Sequence, residues 1–385
     1  MRIVFWENIV SQHKLPYWNA LAASPKVSKF VLVVEELLYE KLKKQGWEND
    51  VKESDTFELH INPSNNSITA LLQEDIDTSY HVFSGIRAIP MVLNVLQLSL
   101  AYPIRRILLT ESLNLIGSRA VTRRLASVFI ERRYLKHYDI VLGSGANTKS
   151  WYVECGVKPA NFYPFLYSIE TLNASNAVEK SPTMRFLFIG QLIQRKGLDV
   201  LLQSLSKVKH SNWTLDVYGE GEDEATLSSL ITDLKLTDKV NMHGVVTNKE
   251  LRQRVALHDI LILPSRFDGW GAVVNEALAS GLKVICSSTC GASILVVNEK
   301  IGYVFPSNNT KELTKTLEQS IEEKDDMDRA YVLNYSNYLK GDYVAQYLID
   351  ILAFHYHNTN ERPLPPWEKF QLDMQNKSIH QKQNH

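Results

Sequence analysis

Short apolar runs alternate with longer amphipathic stretches along most of this chain. Helical patterns, such as 17–23, 123–135 and the leucine stripe at 198–208, separate apolar runs that are typical of buried strands. This alternation is typical of a parallel sheet covered by helices. The predicted strands are 3–6, 30–34, 57–61, 81–84, 107–110 and 140–143, followed by a second series at 186–190, 215–219, 240–244, 260–264, 284–287 and 302–305.

The two series of strands predict two α/β domains of similar build, because 385 residues are too many for one ordinary core. Residues 168–183 are rich in Asn, Ser, Ala and Glu, so we expect an interdomain linker between domains at 1–167 and 184–335. A C-terminal helix region is predicted at 336–357. The polar remainder, 358–385, is expected to be poorly ordered.

Composition is that of an ordinary soluble protein, with 44% hydrophobic residues, 22% charged residues and a formal net charge of -1. The longest apolar region, 88–104, contains two prolines and falls short of the ~20 residues that a membrane-spanning helix needs. The N-terminus lacks the features of a signal peptide. We therefore expect a cytoplasmic protein.

The chain has only three cysteines, Cys155, Cys286 and Cys290, which form no disulfide framework and favour a reduced compartment. Cys286 and Cys290 are spaced like half of a metal site. No second pair and no nearby histidine completes such a site, so we expect no metal there.

Basic side chains concentrate in residues 119–136, where Glu131 is the only acid. They are Arg119, Arg123, Arg124, Arg132, Arg133 and Lys136. The simplest interpretation is a solvated helix face. The alternative is a surface attracted to anionic lipid, at ~1 kcal/mol per basic residue. Nucleic acid is not expected as a partner, because no recognised binding module accompanies the charge.

The most informative segment runs from 263 to 281. A buried strand ends at Pro264, a loop with Asp268 and two glycines follows, and a helix begins near Ala272. Ligands of open α/β sheets bind outside the carboxyl ends of the strands, and glycines let the backbone approach a ligand. Glu276, one turn into the helix, can direct its carboxylate toward this loop and accept hydrogen bonds from a ribose diol. The alternative is a plain helix start with solvated carboxylates.

This segment resembles the signature of retaining glycosyltransferases of family four, which have the GT-B fold. The signature holds two acids separated by seven residues, as Asp268 and Glu276 are, although the family usually has Glu first. Residues 188–198 resemble the diphosphate-binding strand–loop–helix of the same family. Lys196 matches the family's lysine, whereas Gln191 stands in place of an arginine and Arg195 offers charge beside Lys196.

The resemblance implies an α/β fold with two Rossmann-like domains that face each other across a cleft, and a C-terminal helix that packs back on the N-terminal domain. It implies retaining transfer from a nucleotide-diphosphate sugar to a glycan or lipid-linked acceptor in cell-surface polysaccharide biosynthesis. No Asp-x-Asp metal motif is evident in a fitting place, so we expect no obligatory divalent metal. Asp268 and Lys196 are the implied catalytic residues. The implied donor-binding residues are Glu276, Gly190, Gln191, Arg195, Val246, Gly269, Gly271, Ala272 and Val273.

The N-terminal half is expected to bind the acceptor, although it carries no sharp motif. Four residues that follow predicted strands are candidates for this side: Ser11, His13, Ser84 and Glu111. His81 lies within an apolar strand, so we expect a hydrogen-bonded core histidine.

Two other functions remain open at this point. One is a nucleotide-sugar epimerase or hydrolase of the same fold, and the other is a non-catalytic sugar-binding protein. Enzymes of the first kind consume the donor without an acceptor, whereas proteins of the second kind bind it without turnover.

Overall fold

The computed structural model describes residues 1–39, 57–111, 114, 120–170, 181–359 and 361–383. The chain forms two compact units. The N-terminal unit comprises Met1–Glu170 and Lys340–Pro366, and the C-terminal unit comprises Thr171–Leu339 and Trp367–His385. Most of the predicted linker, 171–180, lies outside the described residues.

The N-terminal unit is built on a parallel sheet whose described strands have the order β3-β2-β1-β4-β5-β6-β7. The first six strands in this order follow the 3-2-1-4-5-6 arrangement of Rossmann-like folds. The strands are β1 (Arg2–Glu7), β2 (Lys29–Val34), β3 (Glu58–Ile61), β4 (Ser79–Ser84), β5 (Arg105–Glu111), β6 (Ile140–Ser144) and β7 (Phe162–Phe165). The helices between them are α1 (Leu15–Ala23), α2 (Asn65–Gln73), α3 (Pro90–Ser99), α4 (Ala120–Leu135) and α5 (Thr148–Glu154).

The C-terminal unit repeats this plan, with the order β10-β9-β8-β11-β12-β13 among its described strands. The strands are β8 (Met184–Ile189), β9 (Trp213–Tyr218), β10 (Val240–Met242), β11 (Ile260–Leu263), β12 (Lys283–Ser287) and β13 (Gly302–Phe305). The helices are α6 (Leu198–Leu205), α7 (Glu224–Asp233), α8 (Asn248–Val255), α9 (Val273–Ala279), α10 (Thr310–Glu322) and α11 (Arg329–Asn337). The predicted α/β fold with two Rossmann-like domains is confirmed.

Each sheet is buried on both faces, which explains why its strands are continuous apolar runs in the sequence. In the N-terminal unit, Trp6, Val33 and Phe83 are fully buried within one core cluster. In the C-terminal unit, Phe186, Val217 and other strand residues pack against the leucine stripe of α6. Burial of these side chains stabilises each unit by about 1.5–3 kcal/mol per large residue.

One strand was not predicted. β7 contains Pro164, which cannot donate a hydrogen bond to a neighbouring strand, and proline therefore argues against a central strand. Among the described strands, β7 lies at the edge of the sheet beside β6, and proline is tolerated in edge strands.

The chain returns to the N-terminal unit through α12 (Gly341–His357), which packs along α1. A side chain at Gly341 would lie 2.3 Å from the carbonyl oxygen of Pro16, so glycine permits this close approach. Tyr80 and His357 are hydrogen-bonded at 2.8 Å, and Tyr347 donates to the carbonyl of Pro164. The expected packing of a C-terminal helix on the N-terminal domain is confirmed.

The prediction of a poorly ordered tail at 358–385 is wrong for most of that range. Residues Pro366–Gln383 form a helix, α13, which belongs to the C-terminal unit. Trp367 and Phe370 are buried, and the Phe370 ring contacts the rings of Tyr331, Tyr335 and Tyr338. Two aromatic anchors one turn apart thus hold a helix whose other side chains are mostly polar.

Among the described residues, we find no helix that combines the length and apolar character needed to cross a membrane.

Candidate functional site

The order of strands in the C-terminal sheet reverses between β8 and β11, which are neighbours. The chain leaves β8 toward β9 on one side, whereas β12 and β13 lie on the other side of β11. Open α/β sheets bind ligands in the crevice at such a switch point, beyond the carboxyl ends of the strands. Both motifs singled out in the sequence follow these two strands directly.

Glycines allow the segment after β8 to lie against its neighbours. Gly219 has a φ of 136°, and a side chain there would lie 2.0 Å from the carbonyl oxygen of Gly190. Gly197 has a φ of 71°, and a side chain there would lie 2.3 Å from the carbonyl oxygen of Pro264. Only glycine meets both demands, so the loop after β8 is pressed against the end of β11.

The close approach of the two loops joins the two residues predicted to be catalytic. Lys196 Nζ lies 2.5 Å from Asp268 Oδ2, and their side chains are 15% and 13% exposed. Gly190 lies alongside, since a side chain there would be 3.7 Å from Lys196 Cδ. A partly desolvated ion pair at a sheet switch point can exchange its internal partner for a charged ligand, because both groups still reach solvent.

Two arginines brace this pair of loops. Arg195 Nη1 donates to the carbonyl of Phe267 at 2.9 Å. The Arg266 guanidinium forms a two-pronged ion pair with Asp199, at 2.8 and 2.7 Å. Arg195, which the sequence assigned to donor binding, therefore holds the Asp268 loop in this structure. Arg266 was not predicted, because its partner Asp199 lies 67 positions away in the chain.

The backbone of the Asp268 loop is fixed by the segment after β12. The Asp268 amide donates to the carbonyl of Thr289 at 3.2 Å, and the Asp268 carbonyl accepts from the amide of Gly291 at 3.0 Å. A side chain at Gly291 would lie 2.0 Å from the carbonyl oxygen of Gly269. These contacts fix the main chain at Asp268 and thereby restrict where its carboxylate can lie.

Trp270 anchors the same loop to the helix that follows it. Its ring is 2% exposed, and Nε1 donates to Asn275 Oδ1 at 2.7 Å. Gly271, with a φ of 91°, packs against Cys290, whose Sγ would lie 2.8 Å from a side chain there. Cys290 also donates to the Trp270 carbonyl. This cysteine thus has a packing role in the loop.

Glu276 lies in the first turn of α9 and is half-buried. Burial raises the pKa of its carboxyl from 4.5 to about 7, while the charge of Arg252 acts in the opposite direction. A carboxylate held in a desolvated place forms strong hydrogen bonds with neutral hydroxyl donors once it is ionised. Ala272 and Val273 begin the same helix, beside the loop that carries Asp268.

Residues 170–335 match the protein family described as Glycosyl transferases group 1. This part of the chain is therefore similar to the group 1 glycosyltransferases. An uncharacterised glycosyltransferase of Haemophilus influenzae is 32% identical over 152 residues, which are 38% of this chain and 42% of that protein. A GDP-mannose-dependent alpha-(1-6)-phosphatidylinositol monomannoside mannosyltransferase of Mycobacterium tuberculosis is 25% identical over 222 residues, 54% of this chain and 57% of the relative. The chain thus spans about half the length of these curated relatives.

Solved structures resemble the chain over most of its length. The Anabaena protein HepE, whose crystal structure holds UDP, matches with a TM-score of 0.66 and 14% identity, over 92% of this chain and all (100%) of HepE. The lipopolysaccharide outer core galactosyltransferase WaaB matches with a TM-score of 0.67 and 15% identity, over 91% and 99% of the two chains. The predicted GT-B fold is therefore confirmed.

The remaining donor-side residues, Gln191 and Val246, follow β8 and β10 in the C-terminal unit, and their roles stay predictions. Gln191 is exposed directly after Gly190. Val246 is half-buried in the segment between β10 and α8, after the edge strand of the sheet.

In the N-terminal unit, the corresponding switch point lies between β1 and β4. Ser84, at the end of β4, accepts a hydrogen bond from Lys14 Nζ at 2.8 Å. Lys14 also donates to both carboxylate oxygens of Glu7, at 3.0 and 2.8 Å. All three side chains are buried. Glu7 and Lys14 were not predicted; Glu7 is the last residue of β1, a position that could have drawn attention to it.

His13 and Glu111 meet through Tyr167. The rings of His13 and Tyr167 are stacked with centroids 6.4 Å apart, and the Tyr167 hydroxyl donates to Glu111. The carbonyl of Ser11 accepts from the amide of Lys14 at 3.0 Å. The structure therefore gathers Ser11, His13, Ser84 and Glu111 near the carboxyl ends of β1, β4 and β5.

His81 has a structural role, as expected. Trp6 Nε1 donates to His81 Nδ1 at 3.2 Å, so the ring proton lies on Nε2, 3.0 Å from the Ser79 hydroxyl. Burial lowers the pKa of His81 to about 3, which keeps the ring neutral.

Proposed function

We propose that this protein is a retaining glycosyltransferase that moves a sugar from a nucleotide-diphosphate donor to a glycan or lipid-linked acceptor, in cell-surface polysaccharide biosynthesis. The observation that carries the proposal is the meeting of Lys196 and Asp268 at the β8/β11 switch point, with Glu276 on the helix that leaves the same loop. The match of residues 170–335 to the family described as Glycosyl transferases group 1 supports it.

Lys196 would neutralise the diphosphate as it leaves. Charge builds on the leaving phosphate in the transition state, and a positioned cation in a partly water-excluded site stabilises that charge most strongly. The ion pair with Asp268 holds Lys196 near this position before the donor arrives. On binding, the diphosphate would take Lys196 as a partner and release the carboxylate of Asp268 to the hydroxyls of the donor sugar.

Glu276 would hold the ribose of the donor. An ionised carboxylate can accept from two vicinal hydroxyls at once, which fixes the nucleoside end. Glu276 lies one turn into α9, whereas Asp268 lies on the loop before this helix. In the donor, the diphosphate likewise separates the ribose from the transferred sugar.

Retention requires the acceptor hydroxyl to approach from the face that the diphosphate leaves. In this proposal a phosphate oxygen takes the acceptor's proton, so no protein base is needed at that point. Lys196 supplies positive charge to the diphosphate, and we propose that no divalent cation is required. Activity that is lost in a chelator and restored by Mg²⁺ or Mn²⁺ would contradict this part.

The acceptor side would be formed by Ser84, Glu111 and His13, with the buried pair of Glu7 and Lys14 beneath them. Oxygen acceptors and a stacked aromatic pair suit the hydroxyls and the apolar face of a sugar.

For location, we propose the cytoplasm, with a peripheral position on the inner face of the membrane.

The test is transfer itself. Purified protein is incubated with UDP-, GDP- and ADP-sugars and with membranes from the source cells as acceptor, and released nucleoside diphosphate and the anomeric configuration of the product are measured. We expect acceptor-dependent release by the wild type, with retention. Lys196→Ala and Asp268→Asn should each lose about 100-fold or more in kcat, as removal of a transition-state contact does. Lys207→Ala, at an exposed lysine outside the site, should retain full activity.

Other outcomes separate the alternatives. Donor consumption without an acceptor would indicate a hydrolase or an epimerase. Full activity of Lys196→Ala would contradict the assignment of the site.

A further inference from the structure

Helix α4 presents an unpaired apolar face to solvent. Val121, Leu125 and Phe129 are 70%, 59% and 74% exposed. They recur at every fourth position, so they lie along one side of the helix. Three large apolar side chains in a row on one helix face are unusual on a soluble protein and mark an interaction surface.

The opposite face of α4 is firmly attached to the N-terminal unit. Ser127, Glu131 and Leu135 are buried, and Val128 and Tyr134 pack against the core. Arg87 donates to Glu131 at 3.2 Å, which ties the helix to the loop after β4. The exposed apolar face is therefore held in place and is not a consequence of a loosely attached helix.

The charges beside the apolar face have one sign. Arg132 and Arg133 are exposed one turn beyond Phe129, and Lys136 is exposed directly after the end of the helix. Glu131, the only acid in 119–136, is turned inward to Arg87. Arg124 is paired with Glu154, which neutralises its charge. Residue 119 and the side chain of Arg123 lie outside the described part of the chain. A second protein surface normally mixes both signs, whereas an anionic bilayer offers only negative head groups.

We infer that α4 lies in the surface of an anionic membrane, with Val121, Leu125 and Phe129 among the acyl chains and Arg132, Arg133 and Lys136 on the lipid phosphates. Amphipathic helices with aromatic and leucine side chains on one face and basic side chains beside them bind in this way. Helix α4 follows β5, the strand that ends with Glu111, and Arg87 ties the helix to the loop that follows Ser84. A membrane on α4 would therefore lie next to the loops that carry the proposed acceptor residues. The role of this surface in bringing the acceptor close depends on the proposed function, whereas membrane binding by α4 does not.

The experiment is sedimentation of the full chain with vesicles of phosphatidylcholine, with or without about one third phosphatidylglycerol. We expect binding to the anionic vesicles that weakens with salt. Leu125→Gln/Phe129→Gln and Arg132→Gln/Arg133→Gln should each weaken it about tenfold or more, because each pair removes one of the two contributions. Two control variants should bind like the wild type: Leu257→Gln, at a residue 56% exposed in the C-terminal unit, and Lys149→Gln/Lys207→Gln, at exposed lysines elsewhere.

Equal binding to both kinds of vesicle, or no binding, overturns the inference. Loss of binding in the controls to the same extent also overturns it. The inference is also overturned if the wild type is a dimer and the Leu125→Gln/Phe129→Gln variant is a monomer, because a second copy of the chain then covers the apolar face. Thermal stabilisation by nucleotide sugars, measured on the same samples, tests folding and the proposed function independently. Vesicle binding without any donor binding would leave this inference standing and the proposed function refuted.

Discussion

Glu276 should destabilise the protein in the absence of a ligand, and replacing it by glutamine should therefore increase stability. Burial raises the pKa of this carboxyl from 4.5 to about 7. The folded state thus holds the proton more tightly than the unfolded state. The neutral acid is tolerated at low pH, and stability is lost as the pH rises through the interval between these two values. The amide of the Glu276→Gln variant would be neutral at every pH.

The magnitude follows from the shift. The charging penalty is about 1 kcal/mol at about pH 5.5 and grows to about 3 kcal/mol at about pH 8.5. The advantage of Glu276→Gln over the wild type should therefore increase by about 2 kcal/mol across that range. In a unit of this size such a change corresponds to about 4–8 °C in the midpoint of thermal unfolding.

The assay is thermal unfolding of the ligand-free wild type, Glu276→Gln and Glu368→Gln at several pH values. Glu368 is exposed and serves as the matched control, whose difference from the wild type should not vary with pH. A Glu276→Gln difference that is independent of pH, or a variant less stable than the wild type at high pH, would refute the reasoning. Either result would mean that the ionised carboxylate is well compensated, with Arg252 as the first group to examine.

Three further predictions concern the same unit. Gly197→Ala should lower the free energy of unfolding by at least ~2 kcal/mol more than Gly244→Ala does. Both glycines have positive φ, but only Gly197 lies against a carbonyl oxygen. Equal melting points of the two variants would contradict this. Phe370→Ala should destabilise the unit by ~3–5 kcal/mol, measured by urea unfolding, whereas a detached tail would give no change. Donor affinity, measured by calorimetry, should fall about tenfold from about pH 8 to about pH 6 in the wild type and not in Glu276→Gln, since only the ionised carboxylate accepts from ribose.

Much of the fold could be predicted because both sheets are parallel and buried on both faces. Their strands are therefore apolar runs that stand out from the sequence. β7 escaped because Pro164 is allowed only at an edge, and the sequence does not show which strand is the edge. The prediction for the tail was wrong because it relied on the polar composition of the segment and did not use Trp367 and Phe370. The aromatic partners of Phe370 are Tyr331 and Tyr335, which are distant in the sequence.

The place of the predicted donor-side residues in the fold could be anticipated because they follow strands in recognisable local motifs, whereas their roles stay predictions. Lys196 and Asp268 each have such a motif, and the topology of the sheet brings them together. The network of Glu7, Lys14 and Tyr167 has no local signature. Its members meet only because β1, β4 and β5 end at one edge of the sheet, and no sequence pattern marks them as partners. The same holds for Arg266, because its partner Asp199 is distant in the sequence.

The most direct test of the account is donor binding by the C-terminal unit. Calorimetric titration of the full chain with UDP-, GDP- and ADP-sugars should identify at least one that binds. Lys196→Ala and Glu276→Ala should each weaken that ligand by about tenfold or more, as the loss of a charged hydrogen-bonding partner does. If no nucleotide sugar binds, or if both variants bind the donor as tightly as the wild type, the site at the β8/β11 switch point is not the donor site.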